Sequence, residues 1–400
     1  MPATIVIKPD RDKPIRNQHP WIFSGAIDEV RGNPTPGEIV TVLSHKGTFL
    51  ARGYWNPKSQ IQVRILTWHD EEIDEVWWRR MLQRAVDARH AMSCRLINAE
   101  NDYLPGLIVD RYGDWLVLQA LTLHMDQQKS LIARLLLEIF AEREGLIHGV
   151  YERSDVDVRR KEGLQETTGL LWGEQAPGEV EIQEYGARFL VDLQRGHKTG
   201  FYLDQRANRN LLQELVGARI DLGRSCDLLN LFSYTGGFGI HALLQSASRV
   251  VNVDASREAL ELAEKNVHLN ALYEDRAEYI QADVFEYLRD VAAEGQQFDV
   301  VICDPPKFAQ SAQQVERAVR GYKDLNLNAF KVIKPGGYLM TFSCSGAVSR
   351  DLFQKIVFGA LADSGRQAQI IRHLSAGEDH PVALTFPEGE YLKGLLLRVY

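Results

Sequence analysis

From Gly37 to Leu66 the chain reads GEIVTVLSHKGTFLARGYWNPKSQIQVRIL, apolar and polar residues alternating around Gly47, Gly53 and the Asn56-Pro57 turn. Side chains alternate across a strand, so a period of two marks strands with one buried face. Residues 1–70 are therefore expected to form a small β-barrel. The period then lengthens. In EVWWRRMLQRAVDARHAM, Trp78, Met81, Leu82 and Ala85 recur at helical spacing, which predicts a helix beginning near Asp74. Leu107–Asp110 and Trp115–Leu121 flank Tyr112-Gly113-Asp114 as a hairpin. A second amphipathic helix is expected over Gln127–Glu144. Strands are expected at Val150–Arg153, Leu170–Trp172 and Ala187–Asp192. Residues 71–185 thus read as a central α+β domain.

Over residues 186–400 the rhythm becomes strand then helix. Leu228–Phe232, Val250–Asp254, Tyr279–Ala282, Val300–Cys303 and Leu339–Ser343 are apolar runs of strand length. Gly237–Leu244 and Arg257–Leu269 are helical, the second opened by Ser256 as a cap. Lys334-Pro335-Gly336-Gly337 reads as a turn before the last strand. Such alternation is the mark of an open parallel sheet. The fold class expected is α/β: a Rossmann-like domain behind a barrel and a central α+β domain.

Composition narrows the class. The chain has 400 residues, 45% of them apolar and 25% charged, which fits two or three water-soluble domains. The four cysteines form no C-x-x-C pair and no zinc spacing, so neither a disulfide framework nor a metal site is expected. The N-terminus lacks a signal-peptide core, and no apolar run is long enough to span a membrane. A reducing cytoplasm is the expected compartment. The net charge of −8 argues against nucleic acid, yet residues 1–70 carry more Lys and Arg than Asp and Glu. A local basic face can bind phosphate on an acidic protein.

The candidate chemistry lies at strand ends. LLNLFSYTGGFG ends a strand and opens a helix, and its Phe232, Ser233, Thr235, Gly236 and Gly237 form a loop that a ligand can approach closely. Asp254 closes the next strand, 18 residues after Gly236, placed to accept hydrogen bonds from ribose hydroxyls. Asp283, after the third strand, is placed for an adenine amino group. Neither the G-x-G-x-x-G spacing of dinucleotide proteins nor a Walker lysine is present. S-adenosylmethionine is the cofactor this pattern favours.

FDVVICDPPKF presents the Asp304 carboxylate and carbonyl groups, because Pro305 and Pro306 remove two N–H donors. Such acceptors suit an exocyclic amine or a protonated ring nitrogen. MTFSCS places Cys344 past the end of another strand. A pyrimidine carbon 5 is a poor nucleophile and needs a thiolate added at carbon 6, which is the role expected of Cys344. Alternation turns Cys303 away from Asp304, into the core. Two other readings stay open: methylation of a base nitrogen such as that of guanine, with Cys344 structural, and an RNA-binding assembly factor with a vestigial site.

Several segments together carry a resemblance: HPWIFSGAI, YLPGLIVDRYGD, KTGFYLDQRANR, LFSYTGGFG, DPPKF, TFSCS and FPEGEYLKGLLLRVY. Over essentially its whole length the chain resembles the ribosomal RNA large subunit methyltransferase I family, which makes 5-methylcytosine in 23S rRNA. The resemblance implies an N-terminal PUA domain (1–70), a central domain (71–185) and a methyltransferase domain (186–400). It implies large-subunit ribosomal RNA as partner, and a homodimer. It carries the nucleophile onto Cys344 and a base-orienting, proton-handling acid onto Asp304, which also borders the cofactor. Asp254, Asp283 and the glycine loop carry over as cofactor contacts, with Phe201, Asp204 and Lys198 as further candidates. Many RNA cytosine methyltransferases have a second cysteine after the prolines, where this chain has Lys307. A water held by Asp304 is the expected release base.

Phosphate contacts are expected from Lys8, Arg11, Lys13 and Arg16, near Trp21 and Phe23, with Lys58 and Arg64 joining them. Arg153, Arg159, Arg160 and Lys161 form a second basic run.

Overall fold

A computed structural model describes residues 3–143, 145–309 and 311–400, without the side chain of Ala312. The chain divides into two compact units. One holds Met1–Ile182, Val191–Leu203 and Asp379–Gly389. The other holds Gln183–Leu190, Asp204–Glu378 and Glu390–Tyr400.

The first unit contains two sheets. Six strands pair in the order Trp21–Phe23, Ile61–Thr67, Phe49–Trp55, Ile39–Leu43, Thr4–Ile7, Ile27–Arg31. Ile5, Ile7, Val40, Val42, Val63 and Ile65 fill its core, the inward face that the period-two pattern predicts. A second sheet pairs Thr167–Gly173, Gly149–Ser154, Trp115–Ala120, Leu107–Tyr112 and Ser93–Asn98. The helix Glu75–Asp87 starts after Asp74, whose carboxylate accepts from the Trp77 N–H at 2.8 Å. It ends before the periodic run does, because Ser93–Asn98 is drawn into the sheet as a fully buried edge strand. The other helix spans Leu123–Ala141 rather than starting at Gln127. The expected end of that helix, Glu144, lies outside the described residues.

The second unit is built on seven strands: β1 (Asp227–Leu231), β2 (Arg249–Asp254), β3 (Ala277–Gln281), β4 (Phe298–Cys303), β5 (Ile333–Ser343), β6 (Ala368–Ser375) and β7 (Lys393–Val399). Their spatial order is β3-β2-β1-β4-β5-β7-β6. The first five are parallel; β7 runs antiparallel to both β5 and β6. The helices are α1 (Arg206–Asp221), α2 (Gly237–Leu244), α3 (Arg257–Leu269), α4 (Val284–Ala293), α5 (Val315–Lys331) and α6 (Arg350–Ser364). One core joins Leu229, Val251 and Val301 of the strands to Leu288 of α4, Leu325 of α5 and Phe353 of α6. Among the described residues no helix is long and apolar enough to cross a membrane.

In this unit one segment differs in kind from its sequence reading. Lys334–Gly337, expected as a turn, lies inside the eleven-residue β5. Ile333 pairs with Phe298 and Tyr338 with Val300, so the intervening residues bulge out of the ladder. Gly336, at φ +81°, supplies the left-handed residue that this bulge requires.

Candidate active site

Because β1 to β5 are parallel, their carboxyl ends share one edge, and the chain order reverses between β1 and β4. Ligands bind outside such an edge in open α/β sheets. The loop after β1 carries Phe232–Gly237, Asp254 ends β2, Asp283 follows β3, Asp304 follows β4 and Cys344 follows β5. The fold therefore brings these candidates together, though they are far apart in the chain.

The loop after β1 is conformationally unusual. Phe232 (φ +58°), Tyr234 (φ +48°) and Gly236 (φ +79°) are all left-handed, although only one is glycine. Residues held in such regions cost free energy and collect at functional sites. The loop is fixed from outside. Asp254 accepts from the Tyr234 N–H at 2.8 Å and from the Ser256 N–H at 3.0 Å. Ser233 N–H donates to the Val253 carbonyl at 3.0 Å. Asp283 is exposed and caps α4, one oxygen accepting from the N–H groups of Phe285 and Glu286. Each of these acids keeps lone pairs beyond the bonds just named.

At the neighbouring strand end Cys344 is half-buried, its sulfur 3.8 Å from the Pro305 carbonyl oxygen. Asp304, the residue before Pro305, is half-buried, with Pro305 buried and Pro306 exposed. A hydroxyl network underlies the cysteine. Ser343 donates to the Tyr322 hydroxyl at 2.9 Å, Tyr322 and Ser345 hydroxyls are 3.1 Å apart, and Ala309 N–H donates to Ser345 Oγ at 3.1 Å. Burial raises the Tyr322 phenol, so it stays neutral at ordinary pH. Lys393, on β7, donates to the carbonyls of Ser345 at 2.8 Å and Val348 at 2.6 Å. Burial lowers its amine to about 8, while the nearby Cys344 acts in the opposite direction. Cys303 is fully buried in the core, and that burial pushes its thiol up.

Tyr322, Ser343, Ser345 and Lys393 were not singled out in the sequence. The signal for Lys393 is a lysine within the apolar run YLKGLLLRVY. Tyr322 lies on a helix remote in sequence and leaves no comparable mark. Asp204 is buried and accepts from the Tyr391 hydroxyl at 2.6 Å. Phe201 and Lys198 belong to the first unit. There the Phe201 N–H donates to the Tyr112 hydroxyl at 3.2 Å, and the Lys198 ammonium sits 4.4 Å from the Tyr202 ring centre.

The basic residues separate into two groups. Lys8, Arg11, Lys13, Arg16, Lys58 and Arg160 are exposed. Phe23 is exposed too, and Trp21 half-buried. Arg153 and Arg159 correct the sequence reading. Arg153 is buried and donates to Asp155 and to the carbonyls of Leu193 and Gly196. Arg159 is 2% exposed and is taken up by Asp126 and the carbonyls of Gln165 and Ala120. Their donors are spent inside the protein, so they cannot meet phosphate from the surface. Arg64 is likewise buried, ion-paired with Glu162 at 2.9 Å.

The strand order and the loop after β1 define an S-adenosylmethionine-dependent methyltransferase fold. The family model of that description matches residues 162–396, and a PUA-like domain model matches residues 5–68. Two solved structures share the fold at 20% identity, each over 99% of both chains. One, from Streptococcus mutans and described as a SAM-dependent methyltransferase, has a TM-score of 0.82; the other, described as a methyltransferase complexed with SAH, has 0.84. Proteins named ribosomal RNA large subunit methyltransferase I are 46% identical in Tolumonas auensis and 45% in Aeromonas salmonicida, over the full length of both chains in each case. The chain belongs to the ribosomal RNA large subunit methyltransferase I family.

The residues present fit the cofactor. The hydroxyls of Ser233 and Thr235 are buried with no hydrogen-bond partner among the described residues. Buried polar groups are normally paired, so two orphans in one strained loop mark a place for ligand atoms. Asp254 and Asp283 add carboxylate acceptors suited to hydroxyl and amino donors.

Proposed function

We propose that this protein methylates carbon 5 of a cytosine in large-subunit ribosomal RNA, with Cys344 as the nucleophile. The observation that carries the reading is the half-buried Cys344 sulfur, 3.8 Å from the Pro305 carbonyl, just past the strand that pairs with the one Asp304 follows. In this reading Ser233, Thr235, Gly236, Gly237, Asp254 and Asp283 hold S-adenosylmethionine. When bound, that cofactor supplies an electrophilic methyl group and leaves as the neutral thioether.

The Cys344 thiolate adds to carbon 6 of the ring, forming a C–S bond and moving the ring π electrons toward carbon 5. The Pro305 carbonyl accepts from the exocyclic amine and Asp304 from the protonated ring nitrogen, orienting the base and favouring that electron flow. After carbon 5 has gained its methyl group, a water held by Asp304 takes the carbon-5 proton. The C–H electron pair restores the double bond, and the C–S pair returns to sulfur as thiolate. The exposed Lys8, Arg11, Lys13 and Arg16 of the barrel (1–70) bind RNA phosphates, beside Trp21 and Phe23. The central region (71–185) and the methyltransferase region (186–400) complete a three-part organisation.

Methyl incorporation into large-subunit rRNA, with 5-fluorocytosine RNA as a covalent trap, tests this. The wild-type protein gives 5-methylcytosine and a stable adduct. Cys344→Ala abolishes both while still binding S-adenosylmethionine. Methylation of a base nitrogen, or a Cys344→Ala variant of full activity, would sink the covalent reading. Absence of any methyl transfer would leave only an RNA-binding role.

A further inference from the structure

Lys393 stands where a lysine is costly. It lies on β7, between Leu392 and Gly394 and opposite Ser343 of β5, and is 2% exposed. A buried ammonium is normally paired with an anion. Among the described residues Lys393 makes no ion pair. Its two acceptors are the neutral carbonyls of Ser345 and Val348. Both belong to the turn that directly follows Cys344. The ammonium is thus anchored beneath the loop that carries the sulfur, with a third N–H beyond those two bonds.

We propose that Lys393 is a positioning residue: its ammonium group holds the Cys344 sulfur as thiolate. The inference rests on Cys344 acting as nucleophile, and it names the counter-charge that this sulfur needs.

Other charged and titratable groups lie near the pair. Glu390, just before β7, is taken by Arg350 of α6. Tyr322 of α5 is kept neutral by burial. Lys307, from the proline corner after β4, is exposed, so solvent screens its charge. Asp304, at the end of β4, carries the opposite sign and cannot favour a thiolate. A hydrophobic residue in place of Lys393 would pack as well in this strand with no charge to desolvate, so packing alone gives no reason for the lysine. Burial lowers its amine to about 8, and the nearby sulfur opposes this. The ammonium is present below about pH 8, and its support of the thiolate fades above that.

Alkylation of Cys344 by iodoacetamide, followed across pH by mass spectrometry of its peptide, reads this directly. The other three cysteines are buried and alkylate slowly. The full-length protein is used without RNA or cofactor. In the wild type the rate midpoint falls below the ordinary thiol value of about 8.5. In Lys393→Met it rises by about one unit, a tenfold loss of thiolate below the midpoint. Lys393→Arg restores a low midpoint. Lys393→Gln keeps a donor without the charge and behaves like the methionine variant, which covers a failure of Lys393→Met to fold. An unchanged midpoint in either neutral variant, folded by circular dichroism, overturns the proposal. So does a wild-type midpoint at or above the ordinary value, with no variant needed. Full methylation by Cys344→Ala would instead overturn the nucleophile reading, while the alkylation midpoint still decides the pairing of Lys393 with Cys344.

Discussion

The sulfur of Cys344 lies 3.8 Å from the carbonyl oxygen of Pro305, so the residue just past β5 meets the corner just past β4. Strand register brings this about. Cys303 pairs with Thr341, and both strands run on to the same sheet edge. Side chains alternate along a strand, so a slip of one residue would turn every side chain of β5 to the other face. The bulge at Lys334–Gly337 sets that register from the far end of the strand.

Gly239→Ala tests how the loop after β1, proposed to hold the cofactor, is fixed. Alanine favours a helix over glycine by about 1 kcal/mol. At this position its Cβ would stand 2.7 Å from Asn252 Oδ1 and 3.0 Å from a Val250 methyl. Asn252 cannot swing aside cheaply, because it is buried and accepts from Asn230 at 2.9 Å. Overpacking costs about 1 to 3 kcal/mol and outweighs the propensity gain. Urea unfolding should show net destabilisation, and calorimetry weaker S-adenosylmethionine binding. A variant as stable as wild type would mean that α2 does not pack this closely on β2.

Glu184 links stability to acid. It is buried between Arg209, at 2.6 and 2.7 Å, and His241, at 3.1 Å. Burial opposes its ionisation, but the Arg209 charge and the bonds to Arg209 and His241 prevail and hold it down to about 2. A depressed carboxylate stabilises the fold above its unfolded pKa, and that contribution is lost as pH falls toward the folded value. Glu184→Gln should therefore cost on the order of 3 kcal/mol at neutral pH. The gap from wild type should narrow between about pH 4.5 and pH 2. Denaturant melts across that range check the sign; a gap that widens toward low pH would refute it.

Much of this site could be read before any coordinates. The loop after β1 and the four strand-end residues Asp254, Asp283, Asp304 and Cys344 are legible because each follows an apolar run, and a parallel sheet converts strand ends into neighbours. The buried arginines were not. Arg153 and Arg159 look like a basic surface run, yet the carbonyls that bind Arg153 come from Leu193 and Gly196, about forty residues on. Composition carries no trace of such partners. Tyr322 was invisible for the same reason, since its role comes from how α5 packs beneath β5. The KPGG segment has the local propensity of a turn, and that propensity cannot see that neighbouring strands hold its ends in the ladder.

The division between exposed and buried cations gives a test of RNA binding. Lys8→Ala with Arg11→Ala and Lys13→Ala removes exposed charges. It should weaken rRNA binding and reduce the slope of log affinity against log salt by about one for each phosphate no longer neutralised. Arg153→Met should leave that slope unchanged and lower stability instead, because it removes the donor to the buried Leu193 carbonyl, the half-buried Gly196 carbonyl and Asp155. Filter binding at several salt concentrations, beside thermal melts, separates the two. A slope altered by Arg153→Met but not by the triple variant would invert the assignment.

Tyr322→Phe isolates the hydroxyl network from the sulfur. The phenol bridges Ser343 and Ser345, both fully buried, on either side of Cys344. Ser345 keeps its bond from the Ala309 N–H, whereas Ser343 still accepts from the Ser345 N–H at 3.4 Å but loses the acceptor to which it donates. A buried hydroxyl left unsatisfied costs about 1 to 3 kcal/mol, and the loss falls on the residues that aim Cys344. The ring itself remains, packed 4.6 Å from the Phe308 ring centre, so the core keeps its shape. Turnover should therefore fall several-fold while the KM for S-adenosylmethionine stays near wild type, because the loop proposed to hold the cofactor follows β1 and lies outside this network. Steady-state methylation kinetics read this split. A rise in KM with unchanged turnover would tie Tyr322 to the cofactor side of the sheet edge, and the serines would then have no part in orienting the cysteine.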